Sequence, residues 1–227
     1  MADELSLRPI ARIRTDFPSK FGIPRQAGLV EQLQGRIVFE PEFRIEEALR
    51  GIEDFSHLWL IWGFSENSAK DWSPTVRPPR LGGNRRMGVF ATRSPFRPNS
   101  LGLSCVRLLS VRKEADCGTS LLVAGADMVD GTPIYDIKPY LPYADSVPEA
   151  VGGFAASAPE ECLEVLCPPE LLRNVPEEKR DALLAILAAD PRPRYQKDPE
   201  RVYGMDFAGR QIRFRVKGTE LSVLEIA

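Results

Sequence analysis

Leu101-Gly102-Leu103-Ser104-Cys105-Val106-Arg107-Leu108-Leu109-Ser110-Val111-Arg112 and Ser120-Leu121-Leu122-Val123-Ala124-Gly125-Ala126-Asp127-Met128 are two strand-like apolar runs separated by Lys113-Glu114-Ala115-Asp116-Cys117-Gly118-Thr119. The polarity and the glycine of the intervening segment predict a hairpin loop, so the pair reads as one antiparallel ribbon. The same signal recurs toward the N-terminus. Ile10 to Arg14 carries β-branched residues, Arg36-Ile37-Val38-Phe39 is short and apolar, and Ser56 to Phe64 is apolar on both parities, which predicts a strand buried on both faces. Helical pattern is confined here to Ile45–Arg50, with Gly51 in the C′ position. Many strands with little helix predict a barrel or a sandwich.

The character changes after Pro142. Ala144 to Pro159 is rich in Ala, Gly, Ser and Pro, as in a linker that crosses a domain surface. Beyond it, Pro176-Glu177-Glu178 places proline and two acids in a first helical turn. Leu183, Leu184, Ile186 and Leu187 form an apolar stripe that Asp190-Pro191 ends. Ile212-Arg213-Phe214-Arg215-Val216-Lys217 then alternates strictly, with cations on one strand face, a pattern suited to a phosphate rail or to a solvated edge. The expected architecture is mainly β: a barrel or sandwich over residues 5–155, then a small α+β domain over residues 156–227.

Hydrophobic residues make up 43% of the 227-residue chain. No run approaches the roughly 20 apolar residues of a membrane span, and Met1-Ala2-Asp3-Glu4 is acidic where a signal peptide is basic. The expectation is a cytoplasmic protein with no membrane partner. Cys105, Cys117, Cys162 and Cys167 form no Cys-x-x-Cys pair and His57 is the only histidine, so no metal site and no disulfide framework is expected. His57 itself reads as a hydrogen-bonded core residue.

The net charge of −2 conceals a separation of sign. Arg77, Arg80, Arg85, Arg86, Arg93 and Arg97 occur with no acid among them, while Asp127, Asp130, Asp136, Asp145 and Glu149 gather downstream. Such a layout lets a polyanion approach one surface with carboxylates nearby. Within the arginine-rich stretch, Met87 to Leu103 reads as a strand that stops at Arg93-Ser94-Pro95 and restarts after Arg97-Pro98-Asn99. Two prolines hold the loop open, and Arg93 and Arg97 are planar cationic forks suited to a carboxylate, a phosphate or the face of a base. There is no Gly-x-Gly-x-x-Gly between a strand and a helix, no P-loop and no Ser/His/Asp set, so a Rossmann sheet and a hydrolytic triad are both poor readings.

Several long segments occur together in one order. They are Pro24-Arg25-Gln26-Ala27-Gly28-Leu29, Phe55-Ser56-His57-Leu58-Trp59, Arg77 to Asn84, Thr92 to Gly102, and Asp130-Gly131-Thr132-Pro133-Ile134-Tyr135-Asp136-Ile137-Lys138-Pro139-Tyr140. In this the chain resembles the TrmO (TsaA-like, YaeB) family. Asp190-Pro191-Arg192-Pro193-Arg194-Tyr195 and Tyr203-Gly204-Met205 resemble that family's bacterial C-terminal extension, so the likeness covers nearly the whole chain. The resemblance implies a tRNA (adenine-N6) methyltransferase that uses S-adenosylmethionine on a small β-barrel. It also implies a substrate, N6 of threonylcarbamoyladenosine beside the anticodon of tRNA, and a homodimeric working state.

Carried over by matched position, the family's cofactor contacts fall on Arg25, Gln26, Ala27, Gly28, Ser65, Glu66, Arg93, Leu103, Ala124, Gly125, Ala126 and Asp127. Backbone groups near Leu103 and Ala124 to Asp127 suit an adenine edge, Arg93 or Arg25 a carboxylate, and Glu66 or Asp127 a ribose hydroxyl or an ammonium. Asp130 and Asp136 are the candidate proton acceptors, though Asp before Gly is also common turn chemistry. Lys138 and Tyr140 are candidates for positioning the threonylcarbamoyl group. Contact with the anticodon stem-loop is expected from Arg77, Arg80, Arg85, Arg86, Arg97, Arg192, Arg194, Arg213, Arg215 and Lys217. The competing reading is a noncatalytic module that binds S-adenosylmethionine or RNA.

Overall fold

The computed structural model describes residues 5–65, 72–156, 162–193, 196 and 198–227. Its strands in chain order are β1 (Ala11–Arg14), β2 (Gln34–Phe39), β3 (His57–Gly63), β4 (Thr75–Val76), β5 (Met87–Gly88), β6 (Leu101–Glu114), β7 (Gly118–Ala124) and β8 (Pro133–Pro139). After the short helix α1 (Pro142–Asp145) come β9 (Glu164–Leu166), α2 (Pro169–Leu172), α3 (Glu177–Ala188), β10 (Val202–Phe207), β11 (Arg210–Lys217) and β12 (Glu220–Ile226).

Six strands in the order β1-β2-β7-β6-β3-β8 form one antiparallel sheet, and β8 pairs with both β3 and β1, so the sheet closes into a barrel. Period-2 alternation explains what fills it. Ala11 and Ile13, Leu58 and Leu60, Leu121 and Val123, and Ile134 are fully buried, while Arg12, Trp59, Ile61 and Leu122 beside them are more exposed. The hairpin strands run further into the expected loop than their polarity suggests, leaving only Ala115–Cys117 as the turn.

Four local expectations are corrected. β3 is not buried on both faces: Leu58, Leu60 and Trp62 are buried, whereas Trp59 and Ile61 are half-exposed on the outer side of the sheet. His57 is likewise half-exposed, its Nδ1 2.9 Å from the Ser56 hydroxyl, and is no core residue. The stretch after Met87 is a two-residue strand followed by a 3-10 turn over Val89–Ala91, and Ile45–Arg50 contains only a 3-10 turn over Glu46–Leu49.

The second unit is a sheet in the order β10-β11-β12-β9, with β9 parallel to β12 and α3 against it. Ile212, Phe214 and Val216 face inward onto Leu183, Ile186 and Leu187. Its core also contains Phe17, Val30 and Leu33, which lie between β1 and β2. Lys179 bridges to Asp16 at 2.7 Å and the Ala208 N–H donates to the Asp16 carbonyl, so this long connection is bound to the C-terminal unit. Among the described residues, no helix is long and apolar enough to cross a membrane.

Candidate functional site

Where the β1–β2 connection, the ends of β3 and β7 and the start of β6 meet, they enclose a cavity of about 730 Å³. Its described wall carries four cations, Lys20, Arg25, Arg93 and Arg97, and a single carboxylate, Asp127. Trp62 and Phe64 supply its aromatic side, with ring centroids 4.4 Å apart.

Asp127 sits at the end of a hydrogen-bond chain whose direction is fixed by chemistry. The Trp62 indole N–H can only donate, and it does so to the buried Ser104 hydroxyl at 2.9 Å. Ser104 must therefore direct its own proton elsewhere, and it donates to Asp127 Oδ1 at 2.6 Å. Burial pushes the Asp127 carboxyl above its ordinary value, opposed by Ser104, by backbone hydrogen bonds from Asp127 and Ala27, and by the nearby Arg93 guanidinium. Gly102, directly across the ladder from Trp62, makes room for the indole: a Cβ there would lie 2.2 Å from a ring carbon.

The arginine loop is held by its own polar groups. Thr92 donates through its hydroxyl to the Val89 carbonyl, Arg97 reaches back to the Thr92 carbonyl at 3.1 Å, and Ser100 bonds the Pro95 carbonyl. Arg93 crosses to donate to the side-chain oxygen of Gln26, tying this loop to the β1–β2 connection. That connection is fixed from behind, where the Gly28 N–H donates to the Gly125 carbonyl at 2.9 Å and the Gly125 N–H to the Leu33 carbonyl at 2.8 Å. Gly125 has φ +78°, and a Cβ there would sit 3.1 Å from the Gly28 backbone, so both conformation and proximity require glycine. On the other side Arg25 donates to the Arg192 carbonyl of the C-terminal unit.

The structure thus brings Arg25, Gln26, Ser65, Arg93, Leu103 and Asp127 to one cavity, together with Arg97, which the sequence had suggested for RNA. Ala27, Gly28, Ala124, Gly125 and Ala126 are not among the residues lining it, and the Gly125 backbone already serves the Gly28 loop. Glu66 and Arg194 lie outside the described residues. Asp130 and Asp136 are not in the described cavity wall. Asp130 accepts the Thr15 N–H at 3.0 Å and pairs with Arg14, and Asp136 pairs with Lys138 at 3.2 Å and accepts the N–H of Ile137. Tyr140 stacks obliquely against Trp59, with centroids 5.9 Å apart, on the outer side of β3.

The expected basic strand is present, but its charge is partly neutralised. Arg213 pairs with Glu225 and Arg215 with Glu200, while Lys217 lies opposite Glu220 in the ladder. Arg192 is mostly buried and grips Asp190 with two nitrogens, at 2.8 and 3.0 Å. Arg77, Arg80 and Arg86 line a second, wider groove of about 1510 Å³ that shares Arg25, Arg93 and Phe96 with the first cavity, and Arg85 is exposed outside both. One group of metal-capable side chains comes together among the described residues, Glu114, Asp116 and Cys117 at the β6–β7 turn, where Glu114 already receives Arg36 and Ser120.

Sequence reasoning did not single out Lys20, Trp62, Phe64 or Ser104. Trp62 and Ser104 fall in strands whose apolar runs predict core, and only their placement beside Asp127 distinguishes them.

Comparison with known proteins matches this architecture from end to end. Residues 12–146 match the tRNA-methyltransferase O N-terminal domain and residues 160–227 the TrmO C-terminal domain. The tRNA (adenine(37)-N6)-methyltransferase of Escherichia coli (strain K12) is 43% identical over 226 residues, covering 95% of this chain and 96% of the relative. A putative S-adenosylmethionine-dependent methyltransferase, RcsF, of Pseudomonas aeruginosa is 43% identical over 208 residues, covering 88% and 87%. The crystal structure of TrmO from Pseudomonas aeruginosa superposes with a TM-score of 0.78 at 33% identity, covering 99% of each chain. Both domains match in order and the likeness extends through sequence and fold, so the chain belongs to the TrmO family of tRNA methyltransferases.

Proposed function

We propose that this protein transfers a methyl group from S-adenosylmethionine to N6 of threonylcarbamoyladenosine next to the anticodon of tRNA. Family membership supports the reaction class, and the cavity around Asp127 and Arg93 carries the assignment of the site. A volume of about 730 Å³ falls within the roughly 300–1,000 Å³ of small-molecule sites. The donor set also fits. Arg25 and Arg93 suit the carboxylate of the cofactor, Asp127 its ammonium or ribose hydroxyls, and Trp62 and Phe64 its apolar and cationic faces.

Bound S-adenosylmethionine supplies an electrophilic methyl on a positively charged sulfur. The chain's residues orient and desolvate. Arg93, braced by Gln26, and Asp127, braced by Ser104, hold charged groups at fixed positions, and Trp62 and Phe64 exclude water from the floor. The carbamoyl substituent acidifies the N6–H, so a weak proton acceptor suffices at the cavity mouth. In this reading Asp130 and Asp136 brace β1 and β8 instead of accepting that proton.

We further propose that residues 5–155 carry the cofactor site while residues 156–227 add hold on the tRNA backbone. The working form is a cytoplasmic homodimer, which light scattering would report at about twice the 25.3 kDa chain mass. The test of function is incubation with labelled S-adenosylmethionine and tRNA purified with or without the threonylcarbamoyl group. Labelling only of the modified tRNA is expected. Equal labelling of both refutes the substrate, and cofactor binding with no transfer supports a noncatalytic module.

A further inference from the structure

Phe90 is 77% exposed and Phe96 45% exposed, an arrangement that leaves two large apolar rings in water. Neither is on a slack segment. Phe90 sits in the 3-10 turn over Val89–Ala91, whose Val89 neighbour is 1% exposed. That turn is closed by the Thr92 N–H and hydroxyl, both donating to the Val89 carbonyl, and the Val89 N–H donates to the Pro74 carbonyl. At Phe96 the backbone is fixed on both sides, since its N–H donates to the Ser94 hydroxyl and its carbonyl accepts the Ser73 N–H. The two rings are therefore presented by anchored backbone.

Both rings line the wide groove of about 1510 Å³, along with Phe154, Arg77, Arg80 and Arg86. Its described wall contains no carboxylate. An apolar partner surface has no use for a rim of arginines without acids, whereas a single-stranded polyanion matches it, phosphates to guanidinium and bases to rings. Phe96 and Arg93 also line the cavity around Asp127, so the groove leads into that cavity.

We propose that Phe90 and Phe96 are stacking platforms for unpaired RNA bases, which hold the nucleotides flanking the target adenosine in the arginine-lined groove while that adenosine enters the Asp127 cavity. The proposal rests on the tRNA-methyltransferase reading and names how its substrate is held. Lifting a base out of its stack loses stacking on its neighbours, and an aromatic ring at the mouth of the site replaces it.

The experiment uses full-length protein and a synthetic anticodon stem-loop labelled for fluorescence anisotropy, titrated at several salt concentrations. Phe90 lines only the outer groove, so it is the position to change. Phe90→Ala is expected to weaken binding about 5- to 100-fold with the salt slope unchanged, because stacking releases no counterions. Phe90→Tyr should restore affinity, and Phe90→Leu, apolar but without a π face, should not. Calorimetric affinity for S-adenosylmethionine, unaltered in all three variants, verifies that the fold is intact. The inference is overturned if Phe90→Leu binds RNA as tightly as wild type, or if Phe90→Ala leaves RNA affinity alone, a simultaneous change of oligomeric state in light scattering then assigning the ring to contact between copies. Failure of the wild-type protein to bind the stem-loop overturns the functional reading as well, and is thereby distinguished from failure at Phe90 alone.

Discussion

Replacing Ser104 by alanine removes one hydroxyl from a chain of three side chains and strips both of its neighbours of a partner. Trp62 loses the acceptor of its indole N–H at 2.9 Å, and Asp127 loses a donor at 2.6 Å. A hydrogen bond to a charged group contributes about 1.5–3 kcal/mol and an orphaned buried N–H costs about 1–3 kcal/mol. The two losses share one hydroxyl, so the expected destabilisation near neutral pH is about 2–4 kcal/mol, a fall in Tm of about 5–15 °C for a chain of this size. The pH dependence separates the two contributions. Burial raises the folded-state pKa of Asp127, so the folded protein holds a proton there at pH values where the unfolded chain has released it. This contribution to stability is therefore greatest in acid and is lost as pH rises through the raised value. Ser104 opposes the rise, and its removal extends the window upward, so the deficit of Ser104→Ala relative to wild type should widen as pH rises from 4 to 8. Thermal melts of both proteins across that range measure it. A deficit of equal size at every pH would mean that Ser104 only fills space, and no deficit at all would refute the relay.

Other consequences are equally direct. Arg93→Ala should weaken S-adenosylmethionine binding about 10- to 100-fold by calorimetry with an unchanged circular dichroism spectrum, and unaltered affinity would remove Arg93 from the site. Gly125→Ala forces a side chain onto a φ of +78° and against the Gly28 backbone, so it should cost about 1–3 kcal/mol in thermal melts and loosen cofactor binding together. Cys117, pushed up to about 11 first by its hydrogen bond to Glu114 and then by burial, should resist iodoacetamide at pH 8 while the exposed Cys162 reacts; equal modification would contradict that assignment. Changing Arg213, Arg215 and Lys217 together to glutamine should raise the apparent tRNA Kd and flatten its salt dependence, at little cost in stability because exposed ion pairs contribute about 0–1 kcal/mol. An unaltered salt slope would leave RNA binding to the arginines between Arg77 and Arg97.

What the sequence made legible was local in origin. The β6–β7 hairpin, the alternation of β11 and the apolar stripe of α3 all follow from side-chain period and turn chemistry within a dozen residues. β3 was harder, because Trp59 and Ile61 are as apolar as Leu58 and Leu60, and only closure of the sheet decides which pair faces inward. The carboxylates illustrate the same limit. Asp130 and Asp136 carry the stronger local signal, and near neighbours in the fold bond to both, whereas Asp127 acquires its character from burial and from Ser104, 23 residues away in sequence. Nor does any local pattern disclose that Phe17, Val30 and Leu33 belong to a core completed by Phe207 and Phe214.

That last arrangement has a temporal meaning. A ribosome delivers Arg25 and Gln26 among the first residues of the chain, but the apolar anchors on either side of them pack on α3 and β10–β12, which emerge last. The barrel strands can pair as soon as β8 has been synthesised, since all their partners then exist. The anchors flanking Arg25 and Gln26 gain their C-terminal packing partners only once β12 exists, because contacts spanning almost the whole chain are the slowest to close. A nascent protein therefore passes through an interval in which its barrel is built and the β1–β2 connection is held by bonds such as those to Gly125 and Arg93, the C-terminal support arriving with the final strand.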